Sequence, residues 1–126
     1  MQTPFDSRGE VTGRRRGPKA RPDDGSCQLA LAIAAAAFDV SPQEIRSRQR
    51  HEAETAAARH VAIYLAHVVF RAPMPLVGRV FGRDRTSVRY AVRRVEDRRD
   101  DPVFDRLMDR LERVAAFCGP VGEARP

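Results

Sequence analysis

From Ser26 onward the chain alternates apolar residues at helical spacing with short polar joints, the rhythm of a series of amphipathic helices. The first block predicts a helix from Ser26, a candidate N-cap, to Phe38, with Leu29, Ile33 and Phe38 inward. In the joint that follows, SPQE places Ser41 at N-cap, Pro42 at N1 and Glu44 at N3, the parts of a capping box for a short second helix ending among RSRQRHE. Thr55 is the predicted start of a third helix, whose stripe of Ala58, Val61, Ala62, Leu65, Val68 and Val69 marks a buried element. Pro73 breaks that pattern, and Pro75 begins a very short fourth helix with Leu76, Val77 and Val80 inward.

The stretch FGRDRTSVRYAVRRVE at 81–96 carries the most chemistry. Gly82 suits the positive φ of a tight turn, and Asp84 can accept the N–H groups of Thr86 and Ser87, starting a fifth helix. On that helix Val88, Ala91, Val92 and Val95 gather on one side. Thr86, Tyr90 and Arg93 take the other, flanked by Arg89 and Arg94. A short helix, a glycine turn and a longer helix make a helix-turn-helix pattern. A sixth helix follows, with Asp101 as cap, Pro102 at N1 and Phe104, Leu107, Met108, Leu111, Val114 and Ala115 as its stripe, stopped by Gly119 and Pro120. Acids outnumber arginines from residue 100 onward, so this end is not expected on phosphate. Its stripe either closes the core or meets a dimer or protein partner.

At 126 residues the chain has room for one small domain and tails, not for an ATPase or a dinucleotide-binding domain. Residues 1–25, rich in glycine and proline, read as a disordered basic arm in which GRRRGPKAR is either a solubilising tail or an electrostatic arm for phosphates. Residues 26–118 form the domain and 119–126 a disordered tail. The formal net charge of +6 and a pI near 10.5 favour a polyanionic partner. Since only Lys19 among the basic residues is lysine, the position of the arginines says more than their number.

Cys27 and Cys118 lie far apart and His51, His60 and His67 are scattered, so no metal site is expected. No nucleophile with its base and no useful carboxylate pair appears, which speaks against an enzyme, a cofactor or a small-molecule substrate. MQTPFDSRGEV lacks an apolar signal region and LALAIAAAAF at 29–38 is too short to span a bilayer. The expectation is a cytoplasmic protein of the bacterial nucleoid that avoids membranes.

The exposed arginines of the fifth helix read either as a solvated face paired with Glu96, Asp97 and Asp100 or as a DNA-facing surface. In the second reading Arg85 makes a bidentate contact to guanine and the Thr86 methyl meets a thymine methyl. Here the residues resemble a known family. VGRVFGRDRTSVRYAVRRVE at 77–96 is similar to the signature of the DNA-binding domain of the bacterial replication initiator DnaA. AAFDVSPQEIRSRQR at 36–50 resembles the segment before that family's basic loop, and ARHVAIYLAH at 58–67 its long central helix.

The resemblance implies an all-α, six-helix domain of Trp-repressor/DnaA-like helix-turn-helix type. It implies that Arg50 enters a minor groove, that Arg59 and its neighbour His60 contact DNA, and that Thr86 and Ser87 read the major groove, with Arg85 and Tyr90 where the family usually has histidine. The candidate DNA contacts are thus Arg50, Arg59, His60, Arg83, Arg85, Thr86, Ser87, Arg89, Tyr90 and Arg93, with Asp84 as the helix cap. FGRD holds one glycine where the family normally has two, and the initiator's GxxxxGK[ST] phosphate loop is absent from the chain. The expected partner is double-stranded DNA, including DnaA-box-like sites, in replication-initiation control or transcription. An adaptor that binds the replication initiator or its regulator, with little DNA binding of its own, is the alternative.

Overall fold

A computed structural model describes residues 22–47 and 53–118, all helix and joint with no strand among them. Six α-helices run in order: α1 Pro22–Phe38, α2 Pro42–Arg46, α3 Ala53–Tyr64, α4 Met74–Phe81, α5 Arg85–Arg98 and α6 Pro102–Cys118, with a π-helical turn, Leu65–Val69, prolonging α3. The all-α helix-turn-helix architecture expected from the sequence is the one found. No helix among the described residues is long and apolar enough to cross a membrane.

α3 is the centre of the molecule. It packs chiefly on α1 and α5, and its Val61, Ala62 and Ile63 are buried, as are Leu65 and Ala66 beyond its end. α1 begins at Pro22, not at Ser26, and proline has the fixed φ favoured at a first helical position. Its core face also differs from the expected one. Cys27, Ala30, Leu31 and Ala34 are fully or almost fully buried, whereas Leu29 and Phe38 are half-exposed at the margin. Alanines face the core on both helices, Ala30, Ala34 and Ala35 on α1 and Ala58 and Ala62 on α3, beside the buried Leu31, Ile33, Val61 and Ile63.

α2 has five residues, too few to persist alone. Two features hold it. Ser41 Oγ accepts the Glu44 N–H at 3.1 Å while Glu44 Oε1 accepts the Ser41 N–H at 3.2 Å, completing the capping box. Ile45 is fully buried, which contributes about 1.5–3 kcal/mol.

The third helix was expected to run unbroken from Thr55 to Val69. Instead it starts at Ala53 and changes register at Leu65, where the Phe70 N–H bonds to the Leu65 carbonyl at 2.9 Å and the Ala72 N–H to the Ala66 carbonyl at 2.9 Å. The wider turn rotates the following residues, and Val68, placed in the apolar stripe, faces solvent. His67 Nδ1 donates to the Ala72 carbonyl at 2.9 Å and Arg71 adopts the left-handed φ of 63°, so the exit from the helix is fixed by local bonds and a strained residue.

α6 lies on α1 and the π turn through Phe104, Met108, Leu111 and Ala115. Val114, assigned to its inward stripe, is exposed, as are Val103 and Phe117. Arg99, just past the end of α5, fastens α6: its Nε meets Asp105 at 2.6 Å and its two terminal nitrogens meet Asp109 and Glu112 at 2.7 Å each. It also reaches the Tyr64 hydroxyl at 3.4 Å. Next to it the Arg98 guanidinium stacks 4.1 Å from the centroid of Phe104.

Candidate nucleic-acid interface

The interface is built around the joint between α4 and α5. Gly82 takes φ 65° and ψ 37°, the left-handed conformation a glycine adopts without strain. Its N–H reaches the Arg79 carbonyl at 3.4 Å, and the N–H of Arg83 reaches back to the Gly78 carbonyl at 2.8 Å. These are the two bonds of a Schellman motif, which ends α4 in a single glycine. Asp84, extended at φ −84° and ψ 174°, accepts the Ser87 N–H at 2.8 Å and opens α5.

α5 then divides its residues by face. Val88, Ala91 and Val95 are buried; Arg85, Thr86, Ser87, Arg89, Tyr90, Arg93 and Arg94 are exposed. Among the described residues, Arg85, Arg89, Arg93 and Arg94 pair with no carboxylate, although Glu96 and Asp97 lie on the same helix. Arg99, by contrast, pairs with three carboxylates of α6.

Beside the first turns of α5 runs an open groove lined by Arg59, His60, Ile63, Arg83, Thr86, Ser87, Tyr90 and Ala91. Six of the candidate contacts therefore converge here: Arg59 and His60 from α3, Arg83 from the joint, and Thr86, Ser87 and Tyr90 from α5. The rings of His60 and Tyr90 meet edge to face, with centroids 5.6 Å apart. Arg85 lines a second groove at the same joint, with Met74, Pro75, Gly78 and Arg79. Arg89 and Arg93 line neither groove, and Arg50 lies outside the described residues.

Electrostatically the first groove is strongly positive. Burial, then the charges of Arg59, Arg94, Arg98 and Arg83, push the His60 pKa down from the usual 6.5 to about 4. His60 is thus a neutral ring at physiological pH, able to donate or accept one hydrogen bond without adding charge. Burial and Arg83 also lower the pKa of Arg59. Arg59 points partly inward: its Nε donates to the Ile45 carbonyl at 2.8 Å, and one terminal nitrogen is buried without a hydrogen-bond partner among the described residues.

Three residues at this surface escaped the reading of the sequence. Arg98 joins Arg94 on the edge of α5 whose charge is felt by His60, a position given by helical spacing from Arg94. Arg79 stands beside Arg85 in the second groove. Gly78 matters through what it lacks: a Cβ there would sit 2.7 Å from the Arg83 carbonyl oxygen. A glycine between Val77 and Arg79, inside a predicted helix, was the available signal.

This arrangement coincides with that of known proteins. The family described as bacterial dnaA protein helix-turn-helix matches residues 28–95. The chromosomal replication initiator protein DnaA of Mycobacteroides abscessus is 33% identical over 101 residues, which cover 74% of this chain and 20% of that protein. The same-named protein of Tropheryma whipplei is 31% identical over 88 residues, 70% of this chain and 17% of that protein. A crystal structure of a DNA replication initiation factor superposes with a TM-score of 0.68 at 30% identity, over 75% of this chain and 29% of that one. The chain therefore spans about a fifth of the length of the curated relatives it matches. With its helix-turn-helix and more than half of its length matched, the chain belongs to the bacterial DnaA helix-turn-helix family.

Proposed function

We propose that the protein binds double-stranded DNA with sequence preference, in replication-initiation control or transcription. One observation carries this reading. The first turn of a capped helix presents Arg85, Thr86 and Ser87 to solvent, and arginines that pair with no carboxylate among the described residues continue along the same helix. A major groove about 12 Å wide admits such a helix, N-terminal residues first. α5 lies in that groove with Thr86, Ser87 and Arg85 at base edges, while Arg89 and Arg93 run beside phosphates. His60 and Tyr90 form the wall of the contact. Arg50 supplies an adjoining minor-groove contact, where a narrow groove attracts guanidinium.

Binding that neutralises roughly four to seven phosphates gives a slope of log K against log salt of about −4 to −6. Fluorescence anisotropy on a duplex selected from a random pool measures it, and a flat response refutes the proposal. Thr86→Ala weakens the selected site by about 1–3 kcal/mol and random duplexes less.

A second reading rests on α6, where Val103, Val114 and Phe117 are exposed. In it the chain is an adaptor for the initiator or its regulator. Co-purification after nuclease treatment separates the two, because a partner held through DNA is lost and a direct one retained.

A further inference from the structure

The two arginines deepest in the groove spend donors on protein backbone at one place, the end of α2. Arg59, from α3, donates to the Ile45 carbonyl at 2.8 Å. Arg83, from the helix-turn-helix joint, donates through a terminal nitrogen to the Ser47 carbonyl at 2.9 Å, thirty-six positions away in the chain. Both bonds are part-buried, and charged donors to carbonyls are among the stronger protein hydrogen bonds. Ser47 caps α2 in an extended conformation, φ −64° and ψ 144°, and its own N–H bonds to the Glu44 carbonyl at 3.2 Å. Two carbonyls at the end of α2, those of Ile45 and Ser47, are therefore each gripped from a different element of the DNA-facing surface.

We infer that Arg83 is a positioning residue: its bond to the Ser47 carbonyl locks the end of α2 to the start of the recognition helix, so that both present to DNA as one rigid surface. The inference rests on the DNA-binding reading. Three features of the chain support this role. A five-residue helix opens at little cost unless tied down, so α2 needs a tether beyond its capping box and Ile45. Arg83 is itself fixed from behind, because its N–H closes the Schellman turn on Gly78. Its guanidinium is half-buried, unlike the exposed Arg85, Arg89 and Arg93. A guanidinium that is already donating to a carbonyl is a poor choice for a phosphate contact and a good one for a strut.

Two substitutions test it in the full chain. Arg83→Met keeps an unbranched apolar stem, two bonds shorter, and removes charge and donors. Arg83→Lys keeps the charge, with a side chain one bond shorter and without the planar fork. The expected result is that both bind the selected duplex roughly ten-fold more weakly relative to random duplexes, with the salt slope unchanged. In the free protein both show faster amide hydrogen exchange at Ile45 and Ser47. A direct phosphate contact gives a different pattern: Arg83→Lys binds like the wild type, Arg83→Met loses about one unit of salt slope, and exchange at Ser47 is unaltered. That pattern in a wild type that does prefer a duplex overturns the positioning role alone. A wild type without preference among duplexes overturns the DNA-binding reading and this role with it.

Discussion

Substituting Gly78 by alanine tests whether the joint between α4 and α5 is as tight as its bonds indicate. The added Cβ would lie 2.7 Å from the carbonyl oxygen of Arg83, where ordinary contact begins at 3.4 Å, and the obstacle is backbone that cannot swing aside as a side chain would. The approach follows from the Schellman closure, since the Arg83 N–H is bonded 2.8 Å from the Gly78 carbonyl. Overpacking of this kind costs about 1–3 kcal/mol. Against it stands the gain of about 1 kcal/mol for alanine over glycine inside a helix. The expected net loss centres on about 1 kcal/mol and reaches about 2, or roughly 4–16 °C in melting temperature for a domain of this size. Gly25→Ala is the matched control, because nothing lies within 4 Å of a Cβ there and α1 gains about 0.5–1 kcal/mol. Thermal unfolding followed by circular dichroism should therefore move the two variants in opposite directions. A Gly78→Ala protein that melts at or above the wild type refutes the close approach.

Three further perturbations follow. Arg99→Met removes the partner of three partly exposed carboxylates, Asp105, Asp109 and Glu112, and leaves them to repel one another. A loss of about 1–3 kcal/mol is expected in urea unfolding, the exposed pairs contributing least. Arg71→Asn places at the left-handed φ of 63° a residue that tolerates it, which raises the urea midpoint by the equivalent of about 0.5–1 kcal/mol; an unchanged midpoint contradicts the strain. His60, held near pKa 4 when folded and near 6.5 when unfolded, binds more protons in the unfolded state between those values. Stability therefore falls as pH drops from 6.5 toward 4, by about 1–2 kcal/mol after allowing for solvent screening. His60→Gln abolishes that slope, and an NMR titration of the imidazole near 6.5 refutes it.

What the sequence displays well is whatever is decided within a few residues. The capping box of α2 and the glycine at Gly82 rest on local hydrogen bonds or a local φ, and each stands where the residue types place it. Tertiary choices are less visible. In α1, alanine fits a core as readily as a surface, so periodicity finds the buried Ile33 but cannot tell that Cys27, Ala30 and Ala34 go inward while Leu29 and Phe38 stay at the margin; packing on α3 decides. The π turn is invisible for the same reason: one shifted hydrogen bond at Leu65 redirects Val68 outward, while its sequence reads as unbroken helix. At the candidate interface the residue types were readable and their directions were not. Arg59 and Arg89 look alike in sequence, yet the Ile45 carbonyl at the end of α2 draws Arg59 inward, while Arg89 stays exposed.

The single glycine of the joint can be understood from the work done by its neighbours. Gly82 ends α4, Arg83 ties the joint to α2, and Asp84 begins α5, so three successive residues serve three different elements. The Schellman closure requires the second residue after the helix to bring its N–H to Gly78, and that residue is Arg83. One more residue between Gly82 and Arg83 would give that closure to the inserted residue and carry the guanidinium away from its place over Ser47. The cap at Asp84 would survive, because it depends only on Ser87. A two-glycine turn can therefore start the same helix, but it cannot hold α2 through the same arginine in the same way. The length of this joint and the position of its arginine are a matched pair, and the entry angle of α5 relative to α2 is set by both.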